Sequence, residues 1–429
     1  WNKGALPDEE FAEKGRDMKE AFEAAKILAD AGYDAFDADC GSYEAWYWAH
    51  PPGYMEHGCY LPYVSLLKGK VDIPILTSGR MEIPQLAEDA IADGKIDMVL
   101  IGRGLLAEPE WANKVRFGNI GDIRPCLGCH DGCITREDIS RALSCAVNPA
   151  CGREQEYGIE PAKNLKKVLV AGGGVAGQEA ARVAAIRGHH VVLCEKTGKL
   201  GGHLVEGSVP RFKEDEARLL RWYEKQLKGL NVDIRMNVAV NPEIIKSINP
   251  DAVIVATGST SKIPEVDGIR SKNVVTASDL LLNPEKAGNN IVIIGGGLVG
   301  CETAVWLAEM NKKVTIVEAL DKLMSAGAVL CHANKQMLLD LVDYHGIKVY
   351  KENGLLEVKD DGVFIINKSF KKMFIEADTV VIAVGYNPDN RLFIEIRDEI
   401  PNSYLIGDAR NVKNIMQSIW DAYEIARSI

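Results

Sequence analysis

The chain lacks any apolar run near the ~20 residues needed to cross a bilayer, and it shows no signal peptide. It is also short of positive charge, because 50 Lys and Arg residues face 61 Asp and Glu residues, which gives a formal net charge of −11. An acidic chain of this kind is a poor match for nucleic acid or for an anionic membrane surface. The composition therefore predicts neither a nucleic acid nor a membrane as the partner.

The ten cysteines among 429 residues are unevenly placed. Four of them fall within residues 126–145. In a chain of this size without a secretion signal, such a group indicates metal binding or catalysis rather than disulfides. The sequence therefore predicts a reducing cytoplasm as the compartment. At ~150 residues per domain, the length predicts two to four domains.

Residues 1–120 alternate between apolar strands and helical patterns. Strands are predicted at Tyr33–Ala38, Val71–Leu76 and Asp97–Ile101, with helices at Phe11–Ala31 and Pro84–Ala92. Strand–loop–helix units in series are typical of a parallel α/β architecture. This part of the chain therefore predicts a parallel sheet with helices packed against it.

Two later regions repeat one design, beginning near Lys166 and Asn290. Each opens with a strand that leads into a GxGxxG loop and a helix, and each later reaches an Ala-x-Gly sequence. The first glycine allows a tight turn, the second lets the backbone approach a diphosphate, and the third lets helix and strand pack closely. An acid follows the last glycine by eighteen residues in both copies, where it would bond a ribose. The predicted binding residues are Gly172, Gly174, Gly177 and Glu195 in the first copy, and Gly295, Gly297, Gly300 and Glu318 in the second.

The two copies are expected to hold different ligands. The first region is interrupted by the second and then resumes, and its late Gly407-Asp408 turn suits the ribityl and diphosphate groups of FAD. We place Gly202 and Gly258 in the same FAD site. The inserted copy then binds the nicotinamide, and Glu318 favours NADH over NADPH. Residues 165–429 resemble the two-dinucleotide flavoprotein module of disulfide-reductase type, although they lack its CxxxxC active site.

Cys126, Cys129 and Cys133 form a CxxCxxxC pattern, and Cys145 follows as a fourth. Three thiolates on one tight loop with a fourth to close the site suit a 4Fe-4S cluster. A structural zinc and a disulfide set are the alternatives, although zinc more often uses two separated CxxC pairs. A cluster carries single electrons, whereas NADH delivers two, so a flavin beside it makes chemical sense.

Gly79-Arg80 and Gly102-Arg103 follow the last two strands before the cysteines. Loops at these places in a (β/α)₈ barrel commonly hold a phosphate, so we expect them to bind FMN. Ordinary turns with surface arginines are the alternative interpretation.

With these motifs in hand, the whole chain resembles the old-yellow-enzyme-related flavoproteins that include 2-enoate reductase, 2,4-dienoyl-CoA reductase and trimethylamine dehydrogenase. The resemblance implies an α/β fold made of the C-terminal half of a TIM barrel, a 4Fe-4S segment and two Rossmann-like domains, one inserted in the other. It implies an N-terminal truncation as well, because such a barrel takes ~250 residues. The expected boundaries are 1–120 for the FMN barrel part, 121–160 for the cluster segment, 161–285 and 377–429 for the FAD domain, and 286–376 for the NAD domain.

The resemblance also implies the chemistry. NADH would reduce FAD, electrons would cross the cluster, and FMN would reduce the activated C=C bond of an enoate, enone or enoyl thioester. Tyr43 and His50, in an aromatic loop like that of the enoate reductases, are the candidate catalytic residues. Oxidation of an amine or a steroid-type thioester, and service as an electron-transfer subunit, are the alternatives. A homo-oligomer is a further possibility.

Overall fold

The computed structural model describes residues 17–429, so the start of the predicted first helix and residues 1–16 lie outside the described residues. The described chain forms two compact units. The first contains the chain up to His130 together with Cys331–Asp340, and the second contains Asp131–Leu330 with Leu341–Ile429. Within the described part of the chain, no helix has the length and apolar character needed to cross a bilayer.

The first unit contains a parallel sheet of three short strands. Phe36–Asp37, Ile75–Thr77 and Met98–Val99 lie side by side in chain order, as the sequence predicts, but each is shorter than its predicted range. The predicted helix over Pro84–Ala92 is confirmed. The other helices of this unit are Met18–Asp30, Trp46–Ala49, Leu61–Val64, Arg103–Ala107 and Trp111–Arg116, with 3-10 turns at Ser65–Leu67 and Ile120–Asp122.

The second unit contains two parallel five-stranded sheets, one for each repeat. The first sheet has the order Ser403–Leu405, Ala252–Val255, Lys167–Ala171, His190–Glu195 and Asp233–Met236. The second has the order Lys348–Lys351, Lys313–Glu318, Asn290–Ile294, Thr379–Ile382 and Val274–Thr276. The central strands are buried along nearly their whole length, as expected for a parallel sheet covered on both faces.

The insertion predicted from the sequence is visible in the first sheet. Its edge strand Ser403–Leu405 comes from the end of the chain and pairs with Ala252–Val255. The structure differs from the expected boundaries 286 and 376, however. Thr379–Ile382 pairs with Asn290–Ile294, and Val274–Thr276 pairs in turn with Thr379–Ile382, so both strands belong to the second sheet. The inserted region therefore runs from about Val274 to Ile382.

Helices and smaller sheets complete the second unit. Helix Val175–Ile186 packs against the final helix Ile415–Ser428 through buried alanines, whose small side chains allow close approach. Ser259–Ser261 pairs antiparallel with Tyr386–Pro388, and Asn353–Lys359, Gly362–Asn367 and Lys372–Glu376 form an antiparallel sheet. The remaining helices of this unit are Ile134–Asp138, Glu154–Tyr157, His203–Gly207, Glu214–Gly229, Pro242–Ile248, Ala277–Leu282, Leu298–Glu309 and Arg391–Ile396, with 3-10 turns at Arg211–Lys213, Pro284–Lys286 and Gly407–Ala409. Helix His332–Tyr344 begins in the first unit and ends in the second.

Candidate cofactor sites

The first glycine loop lies between strand Lys167–Ala171 and helix Val175–Ile186, at the carboxyl edge of the first sheet. A Cβ added to Gly177 would lie 1.9 Å from the carbonyl oxygen of Gly172, so only glycine lets the helix approach the turn this closely. Gly174 is the N-cap of the helix, with its backbone N–H end facing the loop. The loop therefore has the shape that a dinucleotide diphosphate requires.

The carboxylate of Glu195 is bonded to this loop. The Gly173 N–H donates to Glu195 Oε2 at 2.7 Å, and the Thr197 N–H donates to Oε1 at 2.8 Å. Glu195 is largely buried at the end of strand His190–Glu195. The acid predicted to contact a ribose is thus held against the glycine turn.

The second glycine loop reproduces this geometry. A Cβ on Gly300 would lie 1.9 Å from the carbonyl oxygen of Gly295, and Gly297 caps helix Leu298–Glu309. The Gly296 N–H donates to Glu318 Oε2 at 2.6 Å. The internal repeat predicted from the sequence is therefore also a repeat of loop geometry.

The repeat extends to a leucine that the sequence analysis missed. The side chains of Leu200 and Leu323 cover the middle glycines Gly173 and Gly296, each five residues after the acid. Aligning the two copies would have revealed this leucine, because Lys199-Leu200 and Lys322-Leu323 lie at equivalent positions. The copies then differ, because Gly201 and Gly202 follow in the first and Met324 and Ser325 in the second. A Cβ on Gly174 would lie 3.9 Å from the Gly202 Cα, and a Cβ on Gly297 would meet no atom within 4 Å, so both loops are open beside this glycine.

The Gly407-Asp408 turn lies beside the first glycine loop. A Cβ on Gly407 would lie 2.8 Å from Ala176 Cβ, so the late turn packs directly on the start of helix Val175–Ile186. Asp408 accepts hydrogen bonds from Ser259 Oγ and from the Lys413 N–H, both at 3.2 Å. Ser259 directly follows the predicted Gly258, so three distant stretches meet here, as an FAD site requires.

His203 adds a titratable group to this place. Its Nδ1 lies 2.6 Å from Glu206 Oε1, and its Nε2 lies 3.1 Å from Ser259 Oγ. Burial alone would lower the pKa of His203, but the hydrogen bond and the charge of Glu206 outweigh it and raise the pKa above the usual value. The sequence analysis missed His203, and its position directly after Gly202 was the available signal.

The arginines predicted to bind a phosphate point into the protein. Arg80 is buried, and its Nη1 donates to the carbonyls of Pro52 and Gly53 at 3.1 and 2.9 Å. Arg103 Nη1 donates to the Pro51 carbonyl at 2.7 Å and to His130 Nε2. Gly79 accepts a bond from the Cys59 thiol through its carbonyl, and Gly102 borders open space. The guanidinium groups thus hold the segment Pro51–Gly53.

The two candidate catalytic residues share one aromatic neighbour. Tyr43 stacks on Trp46 with ring centroids 5.3 Å apart, and His50 meets the edge of the same indole at 4.4 Å. Tyr43 is 86% exposed, whereas His50 is half-buried. The structure therefore brings both candidates to one side chain and leaves the phenol accessible to a small molecule.

The four cysteines of the predicted cluster divide between the units, with Cys126 and Cys129 in the first and Cys133 and Cys145 in the second. Among residues 17–429, no group of three or more His, Cys, Asp or Glu side chains is placed so that it could hold a metal ion. A local hydrogen bond involves one cysteine of each pair. The Gly128 N–H donates to Cys126 Sγ at 3.5 Å, and the Cys145 carbonyl accepts a bond from Trp420 Nε1 at 3.0 Å. Cysteine thiolates are the donor type that a 4Fe-4S cluster requires.

Two polar residues between these cysteines are buried. Burial, and next the charge of Arg103, lower the pKa of His130 well below its usual value. Burial raises the pKa of Asp131 to about 7, and Asn414 Nδ2 donates to this carboxyl group at 3.1 Å. The loop between Cys129 and Cys133 thus excludes water from its polar side chains.

Two glycine loops with paired acids, at the carboxyl edges of two parallel sheets, define a flavoprotein-type oxidoreductase with two dinucleotide sites. The chain belongs to the pyridine nucleotide-disulphide oxidoreductase family, whose model matches residues 166–422. Residues 6–120 match the NADH:flavin oxidoreductase / NADH oxidase family. These matches confirm the barrel part and the two Rossmann-like domains. They also confirm that flavin and nicotinamide dinucleotide belong to the cofactor set.

Individual relatives agree with this assignment. The chain is 52% identical over all 429 residues to a cinnamate reductase of Clostridium sporogenes, of which it covers 64%. It is 37% identical to an NADH oxidase of Thermoanaerobacter brockii, with 98% of the chain and 65% of the relative covered. A solved 2-naphthoyl-CoA reductase matches at 33% identity and a TM-score of 0.91, over 97% of the chain and 63% of that protein. The predicted resemblance to the enoate reductases is confirmed, and the chain spans less than two thirds of these relatives.

Proposed function

We propose that this chain serves the NADH-dependent reduction of activated C=C bonds in an enoate, an enone or an enoyl thioester. The observation that carries the proposal is the 52% identity to a cinnamate reductase along the whole chain. The likeness to a 2-naphthoyl-CoA reductase supports an unsaturated carbonyl compound as the substrate class. A small unsaturated molecule is thus the proposed partner.

The two dinucleotide sites have separate roles in this proposal. Gly295, Gly297 and Gly300 present backbone N–H groups to the diphosphate of NADH, and Glu318 accepts hydrogen bonds from the ribose. Around FAD, the corresponding residues are Gly172, Gly174, Gly177, Glu195, Gly202, Gly258, Gly407 and Asp408. The Gly407-Asp408 turn supports FAD at the first site, because it packs on the start of helix Val175–Ile186 beside the first glycine loop.

Cys126, Cys129, Cys133 and Cys145 would hold the 4Fe-4S cluster. When bound, the flavins and the cluster supply hydride transfer and single-electron transfer between NADH and the substrate. His130, which directly follows Cys129, is buried, so its side chain is shielded from water. Reduced thiols are needed for such a site, and for this reason we propose a reducing cytoplasm as its location.

For FMN, we propose that the backbone at Gly79 and Gly102 faces the phosphate. Arg80 and Arg103 would stabilise these loops by binding carbonyl groups of the segment Pro51–Gly53. The carbonyl contacts of both guanidinium groups support this division. Near the substrate, Tyr43 and His50 are the proposed catalytic residues. The phenol can donate a proton, and the imidazole on the other side of Trp46 can relay one.

The test uses the anaerobically purified holoenzyme with NADH and cinnamate. We expect one 3-phenylpropanoate formed for each NADH consumed, and we expect Tyr43→Phe to lower kcat while dye reduction by NADH is unchanged. Dye reduction without turnover of cinnamate, an enone or an enoyl thioester would refute the proposed substrate class. It would favour an electron-transfer role instead.

A further inference from the structure

The carbonyl of Gly128, between Cys126 and Cys129, is held from two sides. The Gly53 N–H donates to this oxygen at 3.1 Å, and Asn334 Nδ2 donates to it at 3.0 Å. On its other side, the Gly128 N–H donates to Cys126 Sγ at 3.5 Å. A residue fixed through its carbonyl thus directs its N–H at a predicted cluster ligand.

The contact with Gly53 is direct backbone packing. A Cβ on Gly128 would lie 2.5 Å from the Gly53 nitrogen, and Gly128 has a φ of 59°. Both facts require glycine at this position. The turn cannot shift toward Gly53, so its orientation is set by what holds Gly53 and by Asn334.

Two arginines hold the Gly53 side. Arg80 Nη1 donates to the Gly53 carbonyl at 2.9 Å, and Arg103 Nη1 donates to the Pro51 carbonyl at 2.7 Å. A guanidinium group stays charged and offers several donors in a rigid plane, so it can bind several carbonyls at once. The segment Pro51–Gly53 therefore forms a fixed wall behind the cluster loop.

Asn334 is oriented by its neighbours. The Gly128 carbonyl can only accept, so the amide nitrogen must face it, which leaves Asn334 Oδ1 facing His130 Nδ1 at 2.5 Å. The guanidinium of Arg103 can only donate to His130 Nε2. His130 is therefore the neutral tautomer with its proton on Nδ1, and it donates that proton to Asn334. Each bond in the series fixes the direction of the next.

We propose that Asn334 is a positioning residue that sets the reduction potential of the cluster through Gly128. It holds the Gly128 carbonyl so that the N–H points at Cys126, and the Arg103–His130 pair holds Asn334 in the required orientation. The inference rests on the proposed cluster. It adds a residue that lies more than two hundred positions away in the chain.

The direction of the effect follows from electrostatics. The reduced cluster carries one more negative charge, so an N–H donor at a ligand sulfur stabilises the reduced state and raises the potential. Without the bond from Asn334, the peptide group between Gly128 and Cys129 is held on one side only. The adjoining peptide group, which carries the Gly128 N–H, is then less firmly oriented toward the sulfur. Loss of the hydrogen bond from the Gly128 N–H to the sulfur corresponds to a change of roughly three- to tenfold in the equilibrium between reduced and oxidised cluster.

The experiment is a potentiometric titration of the anaerobic holoenzyme, followed by electron paramagnetic resonance of the reduced cluster. Asn334→Leu removes both hydrogen bonds at similar size. At the wild-type midpoint potential, we expect its ratio of reduced to oxidised cluster to be roughly three- to tenfold lower. Asn334→Ala also removes both hydrogen bonds and adds no charge near the cluster, so it should shift the potential in the same direction. This second variant decides the matter if the leucine variant fails to fold.

Asp340→Asn is the matched control on the same helix, His332–Tyr344. The Asp340 carboxylate accepts a bond from Tyr47 at 2.9 Å rather than from the cluster loop, so the potential of this variant should equal that of the wild type. Intact iron content with an unmoved potential in both Asn334 variants would overturn this inference and leave the proposed function standing. An equal shift in the Asp340 variant would also overturn it. Absence of iron from the wild type would overturn the cluster and this inference together.

Discussion

The Gly296 N–H donates to Glu318 Oε2 at 2.6 Å, which ties the acid at the end of one strand to the turn that follows its neighbour. The other oxygen of the carboxylate accepts the Leu320 N–H at 2.8 Å. These bonds fix a negative charge beside the second glycine loop. A ribose carrying a 2′-phosphate would meet that charge, whereas a plain ribose can donate to it.

We therefore expect NADH to be preferred over NADPH. Repulsion at such a site costs ~1–3 kcal/mol, which corresponds to about ten- to a hundredfold in kcat/KM. Glu318→Gln should narrow the preference, as measured by NADH- and NADPH-dependent dye reduction. Glu195→Gln, the equivalent change at the first site, should lower FAD content and leave the nucleotide preference alone. A wild-type preference for NADPH would contradict the ribose role of Glu318.

The third glycine of each loop offers a separate test of the two sites. Because a Cβ would lie 1.9 Å from a carbonyl oxygen in both, Gly177→Ala and Gly300→Ala must displace the loop. We expect Gly177→Ala to be purified with little FAD. Gly300→Ala should keep FAD but lose most of its reduction by NADH, as followed by bleaching of the flavin absorbance.

Gly229→Ala is the control for these substitutions, since a Cβ there would meet nothing within 4 Å. Gly229 is the last residue of helix Glu214–Gly229. The variant should bind both ligands normally and melt at or slightly above the wild-type temperature, because alanine favours a helix by up to ~1 kcal/mol. Loss of FAD in the Gly300 variant with full FAD in the Gly177 variant would reverse the assignment of the sites.

Iron analysis tests the cluster cysteines directly. Anaerobically purified protein should carry about four irons and four sulfides per chain, with broad absorbance near ~400 nm. Cys129→Ser should abolish both while FAD stays bound. Cys194→Ser, in the buried strand His190–Glu195 and outside the four, should keep its iron. Zinc in place of iron after anaerobic preparation would show that the alternative site type is correct.

His203 makes stability depend on pH. Its folded-state pKa is raised by Glu206, so its contribution is fully present below the unfolded pKa and is lost as the pH rises through the folded value. The melting temperature should therefore fall from pH 6 to pH 8 by more in the wild type than in His203→Gln. His190→Gln, at an exposed position of the first sheet, should show the same fall in melting temperature between pH 6 and pH 8 as the wild type. Equal slopes in the wild type and His203→Gln would contradict the pairing with Glu206.

The glycine loops were predictable because short-range geometry determines the close approach of their first and third glycines. Each loop needs its glycines for contacts within six residues, so the pattern in the sequence is the pattern of the contact. The helix Pro84–Ala92 was predictable for the same reason. Strand lengths in the first unit were overestimated, since apolar residues continue beyond the residues that pair.

Other features depend on contacts between distant residues, and the sequence does not show them. The sequence identifies Arg80 and Arg103 as basic residues after strands, but it does not show that they turn toward the carbonyls of residues 51–53. Asn334 has no local pattern around it, and its partners are Gly128 and His130. The boundary at Ile382 escaped prediction because strand pairing, rather than composition, decides to which sheet a strand belongs.

The division of the chain into two units has a practical consequence. Because Cys331–Asp340 belongs with the chain up to His130, the polypeptide passes from one unit to the other three times, after residues 130, 330 and 340. No single cut separates the two units, because a cut after residue 130 leaves Cys331–Asp340 attached to the second unit, and a cut after residue 330 or 340 leaves a fragment with residues of both. A shortened chain that begins at Asp131 would keep Asn334 and Asp340 but lose Gly128 and Tyr47, to which they bond.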